Sequence, residues 1–230
     1  LDIDAEVLGD GVLLTLDGAG DHDVSNLLGD LTVTAAASGT FNVDLDRDAT
    51  VGSAAVNTTI TTAKEITIDA DSDGGENGFA DDDTINLVGS GKVFVDDNQS
   101  NIAATSLTGE LDVDLSNVAD NGIDIDLGSA ATTISGAHSS DTVSVDADVL
   151  VDNALLTLDG SAHVEVDNLE GDLSATSLTG TLDIDLSDVA DNGIDIDLGS
   201  AATTISGAST GDTLDIDAEV LGDGVLLTLD

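Results

Sequence analysis

Five residue types are missing from this 230-residue sequence, which contains no Cys, Pro, Met, Trp or Tyr. Without Cys the chain can form neither disulfides nor thiolate metal sites. Phe occurs only at positions 41, 79 and 94, so the buried aromatic anchors of immunoglobulin-like sandwiches are lacking. No apolar run approaches the roughly 18 residues of a membrane-spanning helix. A core must therefore be built from Ile, Val, Leu and Ala, whose small side chains suit thin layers between β-strands.

Basic residues are also scarce: 48 acids stand against Arg47, Lys64 and Lys92, for a formal net charge of −45. Such a charge repels nucleic acid and anionic membrane surfaces, and it favours divalent cations, basic partners or a high-salt setting. Asp outnumbers Glu by 41 to seven, and Asp favours turns and cation binding over helices. We therefore expect divalent cations as ligands, no nucleic-acid partner and no membrane insertion.

Internal repetition organises the chain. Residues 104–137 recur at 175–208 with three substitutions, an offset of 71, and residues 1–17 recur unchanged at 214–230, an offset of three times 71. We interpret 1–230 as one continuous repeat array, with units at roughly 1–71 (divergent, followed by a loop insert at 72–83), 72–142, 143–213 and a partial unit at 214–230. The sequence starts without Met and stops in mid-pattern. We therefore expect a fragment of a longer array, in which neighbouring repeats or copies join end to end as a possible fibre.

Short alternating stretches predict the fold. Seven stretches per unit alternate with a period of two and are followed by turn residues; in the middle unit they are Leu111–Leu115, Ile123–Leu127, Thr132–Ile134, Val143–Val145, Leu155–Leu158, Val164–Val166 and Leu173–Ala175. No window carries the apolar stripe of a helix, so we predict an all-β protein with essentially no helix. Strands this short, without aromatic anchors, favour a parallel β-solenoid (β-helix) of stacked coils over a string of sandwich domains. Three coils of ~24 residues or two of ~35 both fit the repeat, and the sequence leaves both open.

Asp residues alternate with Ile, Val and Leu in LDVDL, LDIDL and IDIDL, which places the Asp side chains on one face of each strand. Because the apolar face must line the core, eight Asp residues are predicted to lie outside: Asp112, Asp114, Asp124, Asp126, Asp183, Asp185, Asp195 and Asp197. In stacked coils some of these carboxylates would lie about 5 Å apart and repel one another. The sequence leaves open whether they form a cation-binding lattice or a solvated acidic coat.

The inserted loop carries a calcium-loop pattern, DADSDGGEN, which begins like the DxDxDG of an EF-hand-type loop. The predicted ligands are Asp69, Asp71, Asp73, the carbonyl of Gly75, and Asn77, and one of Asp81, Asp82 or Asp83 would close the site. Ala80 stands where that pattern has its bidentate Glu, which is a departure. The cofactor we expect is Ca²⁺, and the alternative is a flexible acidic loop.

No catalytic site is predicted. Asp clusters in β-helix enzymes work beside Lys, Arg or His and bind sugars on aromatic side chains, and this chain has few of either. His22, His138 and His163 occupy positions that the 71-residue repeat does not relate, and we predict that they face solvent. We therefore expect a protein that is not an enzyme.

Taken together, ATSLTGxLDxDL and VADNGIDIDLGSAATTISGA resemble the tandem repeats of giant secreted bacterial surface proteins, the adhesin-like and RTX-type calcium-associated chains. The resemblance covers nearly the whole sequence and is one of style and composition. It implies export, an unfolded chain where calcium is scarce, and folding at the cell surface. The RTX nonapeptide GGxGxDxUx is absent, so the regular RTX calcium sites are not carried over to these residues.

The function expected on this basis is a structural repeat region of a secreted, acidic surface protein. It would serve as a stalk, filament or adhesin spacer whose folding and stiffness depend on Ca²⁺. Two alternatives remain, an acidic cation- or mineral-binding surface module and a halophilic surface-layer protein.

Overall fold

The chain forms an all-β structure. The computed structural model describes residues 1–5, 8, 12–27, 29–45, 57–70, 83–116, 122–187, 193–209, 213–218, 221 and 225–229. Every regular element within these ranges is a β-strand, as predicted. Accordingly, this part of the chain has no helix that could cross a membrane.

The strands build two parallel sheets of eleven strands each, and successive strands alternate between the sheets. The first sheet contains β1 (Asp2–Asp4), β3 (His22–Leu27), β5 (Phe41–Leu45), β7 (Ile66–Asp69), β9 (Val93–Asp96), β11 (Leu111–Asp114), β13 (Thr132–Ala137), β15 (Leu155–Gly160), β17 (Asp172–Leu178), β19 (Ile194–Leu198) and β21 (Leu214–Asp217). The second sheet contains β2 (Leu13–Leu16), β4 (Asp30–Val33), β6 (Asn57–Thr62), β8 (Thr84–Gly89), β10 (Asn101–Leu107), β12 (Gly122–Asp126), β14 (Thr142–Asp146), β16 (His163–Asp167), β18 (Thr181–Asp185), β20 (Ala202–Ser206) and β22 (Leu227–Leu229).

This alternation is that of a parallel β-solenoid, which confirms the predicted fold. Each coil gives one strand to each sheet and takes up about 21 residues. Both predicted coil lengths, ~24 and ~35 residues, are therefore wrong. Both lengths assumed that a repeat holds a whole number of coils. Each coil has two strands, so a repeat with an odd number of strands ends halfway around a coil.

The 71-residue repeat covers seven strands, which is three and a half coils. Leu111 begins β11 in the first sheet, and its equivalent Leu182 lies in β18 in the second sheet. Thr132 in β13 and Thr203 in β20 are related in the same way. Equivalent sequence therefore lies in opposite sheets in neighbouring repeats.

Counted up to β7, where the sequence pattern restarts, the first unit has six strands among the described residues, one fewer than β7–β13 and β14–β20. β5 and β6 follow each other directly, whereas the equivalent strands β11 and β13 are separated by β12. Twenty strands, or ten whole coils, consequently separate β1 from β21. The unchanged sequence at 1–17 and 214–230 thus returns to the same sheets, with β1 and β21 in the first and β2 and β22 in the second.

The core is a thin apolar layer between the two sheets. In the second sheet, Ile123, Val143, Val164 and Leu182 pair in register on consecutive strands, and each is at most 3% exposed. Burying one such side chain stabilises a fold by about 1.5–3 kcal/mol. These buried rows repeat along the solenoid and stabilise the fold. Repulsion between the charged side chains on the outer faces opposes this stabilisation.

Candidate functional site: the acidic columns

Two columns of carboxylates cross the outer faces of the solenoid. The first column consists of Asp44, Asp69, Asp96 and Asp114 on β5, β7, β9 and β11. The second column consists of Asp126, Asp146, Asp167 and Asp185 on β12, β14, β16 and β18. We call these two sets the acidic columns.

Strand register places the members of each column side by side. In the first column Asp44 pairs with Asp69 and Asp69 with Asp96, and Asp114 is aligned with Asp96 because the preceding Val113 and Val95 are paired. All neighbours in the second column are direct register partners. Adjacent strands lie about 4.8 Å apart, so each column carries one carboxylate at every such step.

The two acidic columns are the same sequence feature on opposite sides of the molecule. Asp96 and Asp114 correspond to Asp167 and Asp185 at the 71-residue offset, yet the first pair lies on the first sheet and the second pair on the second sheet. Each column ends at a serine, with Asp114 paired to Ser135 and Asp185 paired to Ser206.

The face opposite each acidic column is rich in hydroxyl and amide groups. Across β4, β6, β8 and β10, opposite the first column, the outward side chains include Thr32, Thr59, Thr61, Asn86, Ala103 and Thr105. Across β13, β15 and β17, opposite the second column, they include Thr133, Ser135, Thr157, Ser174 and Thr176. Away from β11–β12 and β18–β19, one face is therefore acidic, and the opposite face is mostly uncharged apart from Asp30, Asp159 and Asp172.

The acidic face changes sheet twice. β11 (LDVD) and β12 (GIDID) are consecutive strands that both carry Asp outward, and so are β18 and β19. Elsewhere in the second and third units an Asp-bearing strand is followed by a hydroxyl-bearing one. The acidic face thus moves to the other sheet between β11 and β12 in one repeat and between β18 and β19 in the next. The turns at 117–121 and 188–192 lie outside the described residues.

Electrostatic strain is concentrated within the columns. Partial burial raises the pKa of Asp96, and repulsion from Asp114, Asp69 and Asp97 raises it further. Partial burial likewise raises the pKa of Asp126, with repulsion from Asp146 as the next cause.

Asp167 is affected in the same way: partial burial raises its pKa first, and repulsion from Asp185, Asp146 and Glu165 adds to the effect. Both columns therefore resist full ionisation in the folded chain.

Side-chain amides relieve part of this repulsion. In the second column the Asn168 Nδ2 group donates a hydrogen bond of 3.2 Å to Asp146 Oδ1, and outside the columns the Asn26 Nδ2 group donates one of 3.1 Å to Asp4 Oδ1 on β1. Both Asn residues are left-handed, with φ of 56°. The equivalent residue of the middle unit is Asp97, also left-handed with φ of 54°. An ionised carboxylate cannot donate, so this unit places a further negative charge where the others place an amide.

A single lysine neutralises charge beside the first column. The Lys92 Nζ atom lies 2.8 Å from Asp112 Oδ2 and 3.2 Å from Glu110 Oε2, and 4.4 Å from the centre of the Phe94 ring. The hydrogen bond to Asp112 raises the pKa of Lys92. Its equivalent one repeat later is His163, whose Nε2 atom lies 3.0 Å from Glu165 Oε1.

The first acidic column is accessible to solutes. A surface groove of about 420 Å³ crosses the outer face of the first sheet, and Asp44, Asp69 and Asp96 line it. Asp2 and Asp23 line the same groove nearer the first coil. A small cation can therefore reach several carboxylates along one face.

The structure locates only part of the predicted calcium loop. Asp69 ends β7 and is a member of the first column, while Asp83 directly precedes β8, is fully buried, and accepts the Asn101 N–H on its backbone carbonyl at 3.0 Å. Asp71, Asp73, Gly75, Asn77, Asp81 and Asp82 lie outside the described residues, so the loop site stays a prediction. Within the described ranges, no group of three or more His, Asp or Glu side chains is placed to hold a metal ion.

The eight strand-face Asp residues predicted to lie outside do so, since none of them is buried. The prediction for the histidines is wrong at His22, which is only 6% exposed and stacks on Phe41 with ring centres 5.2 Å apart. Val93 and Val164 occupy the equivalent core position, and His22 fills it as an apolar ring whose Nδ1 atom has no hydrogen-bond partner among the described residues. His22 alternates in phase with the inward-facing Val24 in β3, and this pattern in the sequence could have shown that His22 is buried.

Comparison with known proteins identifies no relative. The chain matches no family model, and neither a curated protein nor a solved structure is significantly similar to it.

Proposed function

We propose that the chain is a structural repeat region of a secreted, acidic surface protein, acting as a stalk, filament or adhesin spacer outside the cell. Calcium is the cation that lets it fold and stiffen. The observation that carries the proposal is the pair of acidic columns, each with four carboxylates on consecutive coils. Among the described residues one apolar core cluster follows the solenoid from the first coils to the last, and a rod built in this way suits a spacing role.

Calcium is proposed because the acidic columns carry electrostatic repulsion that a bound cation would relieve. Two unit charges about 5 Å apart repel by about 0.8 kcal/mol in bulk water and by several-fold more at a lower effective dielectric constant. Summed over a chain with a formal net charge of −45, this repulsion is comparable with the roughly 5–15 kcal/mol net stability of a domain. A divalent cation bound between neighbouring carboxylates removes the repulsion. Calcium binds carboxylate oxygens flexibly and keeps water ligands, which suits a column that supplies fewer than six protein oxygens per site.

The test is far-UV circular dichroism of the metal-free chain during a calcium titration at fixed ionic strength, with Mg²⁺ and NaCl as controls. We expect a transition from coil to β-structure that Ca²⁺ drives at up to millimolar concentration and that NaCl does not reproduce. A β-spectrum already present without calcium, or restored equally by NaCl, would contradict calcium-dependent folding.

Two variants separate the columns from the loop. Asp96→Asn with Asp167→Asn removes one carboxylate from each acidic column, and Asp71→Asn with Asp73→Asn removes the same charge from the predicted loop. If the columns are where calcium acts, the first pair lowers the calcium requirement for folding and the number of ions bound, as measured by isothermal titration calorimetry. If the loop dominates, the second pair abolishes the transition and the first leaves it in place.

A second candidate, an acidic cation- or mineral-binding surface module, is favoured by the continuous acidic face on the first sheet from β1 to β11. Such a module should bind many cations weakly per repeat and be retained on basic or mineral surfaces. A spacer should show neither property. A halophilic surface-layer protein would instead fold fully in molar NaCl or KCl without calcium.

A further inference from the structure

Two Asn residues of the chain stand in the acceptor pattern for N-linked glycosylation, Asn-x-Ser/Thr with x other than Pro. They are Asn57 in residues 57–59 (NTT) and Asn98 in residues 98–100 (NQS). The other ten Asn residues have neither Ser nor Thr two positions later. A pattern this short also arises by chance, so the surroundings of each Asn decide which one is able to accept a glycan.

The fold presents Asn57 and Thr59 together on an outer face. Asn57 begins β6 and is exposed, Thr58 is fully buried, and Thr59 points outward again. Because side chains alternate between the faces of a strand, the acceptor Asn and the hydroxyl residue of the pattern lie side by side towards solvent. Strand pairing holds this arrangement in place, since Asn57 pairs with Thr84 on β8 and the Thr59 N–H donates a hydrogen bond of 2.9 Å to Asp30 Oδ1 on β4.

The second pattern is enclosed by the fold. Asn98 and Ser100 are both 0% exposed. The Asn98 Nδ2 group donates a hydrogen bond of 2.7 Å to the Ser100 carbonyl oxygen, and Asn98 Oδ1 accepts bonds from the Ser100 N–H at 3.3 Å and the Ser100 hydroxyl at 3.0 Å. The nitrogen to which a glycan would be attached is thus held against the chain's own backbone. Asn98 is therefore an internal control that has the pattern without the exposure.

We propose that Asn57 is an acceptor site for an N-linked glycan. The donor belongs to the class of oligosaccharides carried on a polyprenyl diphosphate. The Asn57 Nδ2 atom forms a bond to the anomeric carbon of the first sugar and loses one proton. The bond between that carbon and the diphosphate oxygen breaks, and the polyprenyl diphosphate leaves with the electron pair. This modification acts on exported chains, so its occurrence in the cell rests on the proposed secretion.

A glycan at Asn57 leaves the first acidic column uncovered. β6 belongs to the second sheet, whereas that column lies on the first sheet of the same coils. The register partner of Asn57 on β8 is the uncharged Thr84. Glycan and cations therefore occupy opposite faces, and we expect glycosylation to leave the calcium requirement for folding unchanged.

Later units keep the hydroxyl residues of the pattern but lack the Asn. Residues 57–60 (NTTI) align with 131–134 and 202–205, both of which read ATTI. Ala202 begins β20, which lies in the same sheet as β6, and it is exposed as Asn57 is. Ala202→Asn therefore builds the same acceptor pattern at an equivalent, exposed strand start.

The experiment incubates the purified 230-residue chain in calcium-containing buffer with a purified oligosaccharyltransferase and a polyprenyl-diphosphate-linked oligosaccharide. Circular dichroism verifies folding, a short acceptor peptide verifies the enzyme, and peptide mass spectrometry locates the glycan. We expect Asn57 to be occupied at least about tenfold more than Asn98, because a fully buried group reacts only when the fold opens locally.

Four variants test the assignment. Asn57→Gln and Thr59→Ala should each abolish the modification, whereas Asn98→Gln should leave it unchanged. Ala202→Asn in the Asn57→Gln chain should restore it. The proposal is overturned if the folded chain is not modified at Asn57, if Asn98 is modified as much as Asn57, or if Asn57→Gln leaves the total modification unchanged. Enzyme and donor are supplied in this assay, so its result does not depend on secretion, and the calcium titration tests the proposed function separately.

Discussion

At the scale of single residues, each Asp of the acidic columns has two effects that oppose each other. It marks the solvent face of a strand and keeps that face from aggregating, and it also repels the Asp on the neighbouring coil. The conflict is strongest in the middle of a column, where the pKa of Asp96 and that of Asp167 are raised by burial and by neighbouring carboxylates. In the second column the Asn168 amide reduces the conflict by donating a hydrogen bond to Asp146.

The raised pKa values predict that acid stabilises the metal-free solenoid. A carboxyl whose folded pKa exceeds its unfolded value binds its proton more tightly in the folded chain. Its ionisation costs stability as pH rises from about 4 through the raised folded pKa. The metal-free chain should therefore be most stable near pH 4, and its urea midpoint should fall as the pH rises towards 7, until the chain is unfolded without urea. Asp21 acts in the opposite direction, because a hydrogen bond from the Thr40 backbone N–H lowers its pKa. Its ionised carboxylate stabilises the fold above the ordinary Asp pKa, and this stabilisation is lost as the pH falls below that value.

The variant that tests this carries Asp96→Asn, Asp126→Asn and Asp167→Asn, which we expect to show a clearly smaller fall in urea midpoint over the same pH range. Its control carries Asp2→Asn, Asp159→Asn and Asp195→Asn, the same charge change at outward positions outside the acidic columns, and should keep more of the fall. A metal-free chain that is more stable at pH 7 than at pH 4 would show that column repulsion does not limit its stability.

At the scale of strands and coils, the sequence predicted the elements better than their grouping. The seven stretches from Leu111–Leu115 to Leu173–Ala175 correspond to β11–β17, because period-two alternation with turn residues specifies short strands locally. Coil length depends on which strands pair, and pairing depends on distant sequence. Seven strands per unit were already countable, yet only the pairing shows that Leu111 and Leu182 lie in different sheets.

The turns between strands impose a second constraint that the sequence pattern does not show. Gly180 lies just before β18, where a Cβ atom would stand 1.7 Å from the Ala162 carbonyl oxygen of the preceding coil. Its equivalent Gly109 approaches the Gly91 carbonyl oxygen in the same way, at 1.9 Å from where a Cβ would be. Coils can stack at strand spacing here only because these turns have no side chain.

Gly180→Ala should accordingly destabilise the folded chain by about 1–3 kcal/mol, the usual cost of forcing extra volume into a packed contact. The loss is measured as the shift in urea midpoint under conditions where the chain is folded. Gly122→Ala is the matched control, because no atom of the described residues lies within 4 Å of the Cβ it would add, and we expect a change of no more than about 0.5 kcal/mol. Equal effects of the two substitutions would mean that the turns do not stack as closely as described.

At the scale of the whole molecule, a repeat of seven strands is not a whole number of two-strand coils. This mismatch determines on which sheet the outward Asp residues lie. Seven strands per repeat move the acidic face from one sheet to the other, and the shorter first unit brings the full 213-residue period back into phase after ten coils. The candidate site was predictable in part, because the outward Asp residues follow from alternation alone. Their assembly into columns on opposite faces required the strand register. Apart from Asp69 and Asp83, the predicted ligands of the calcium loop lie outside the described residues.

The central claim, that Asp residues stack into columns and that the acidic face changes sheet at β11–β12 and again at β18–β19, is tested most directly by disulfide mapping in this Cys-free chain. In-register neighbours lie about 4.8 Å apart, within the Cα range of about 4.4–6.8 Å for disulfides. Asp146→Cys with Asp167→Cys, 21 residues apart in one column, should form an intramolecular disulfide on mild oxidation of the folded chain. Asp114→Cys with Asp126→Cys, only 12 residues apart but on opposite faces, should not. A disulfide in the second variant and none in the first would contradict both the columns and the change of face.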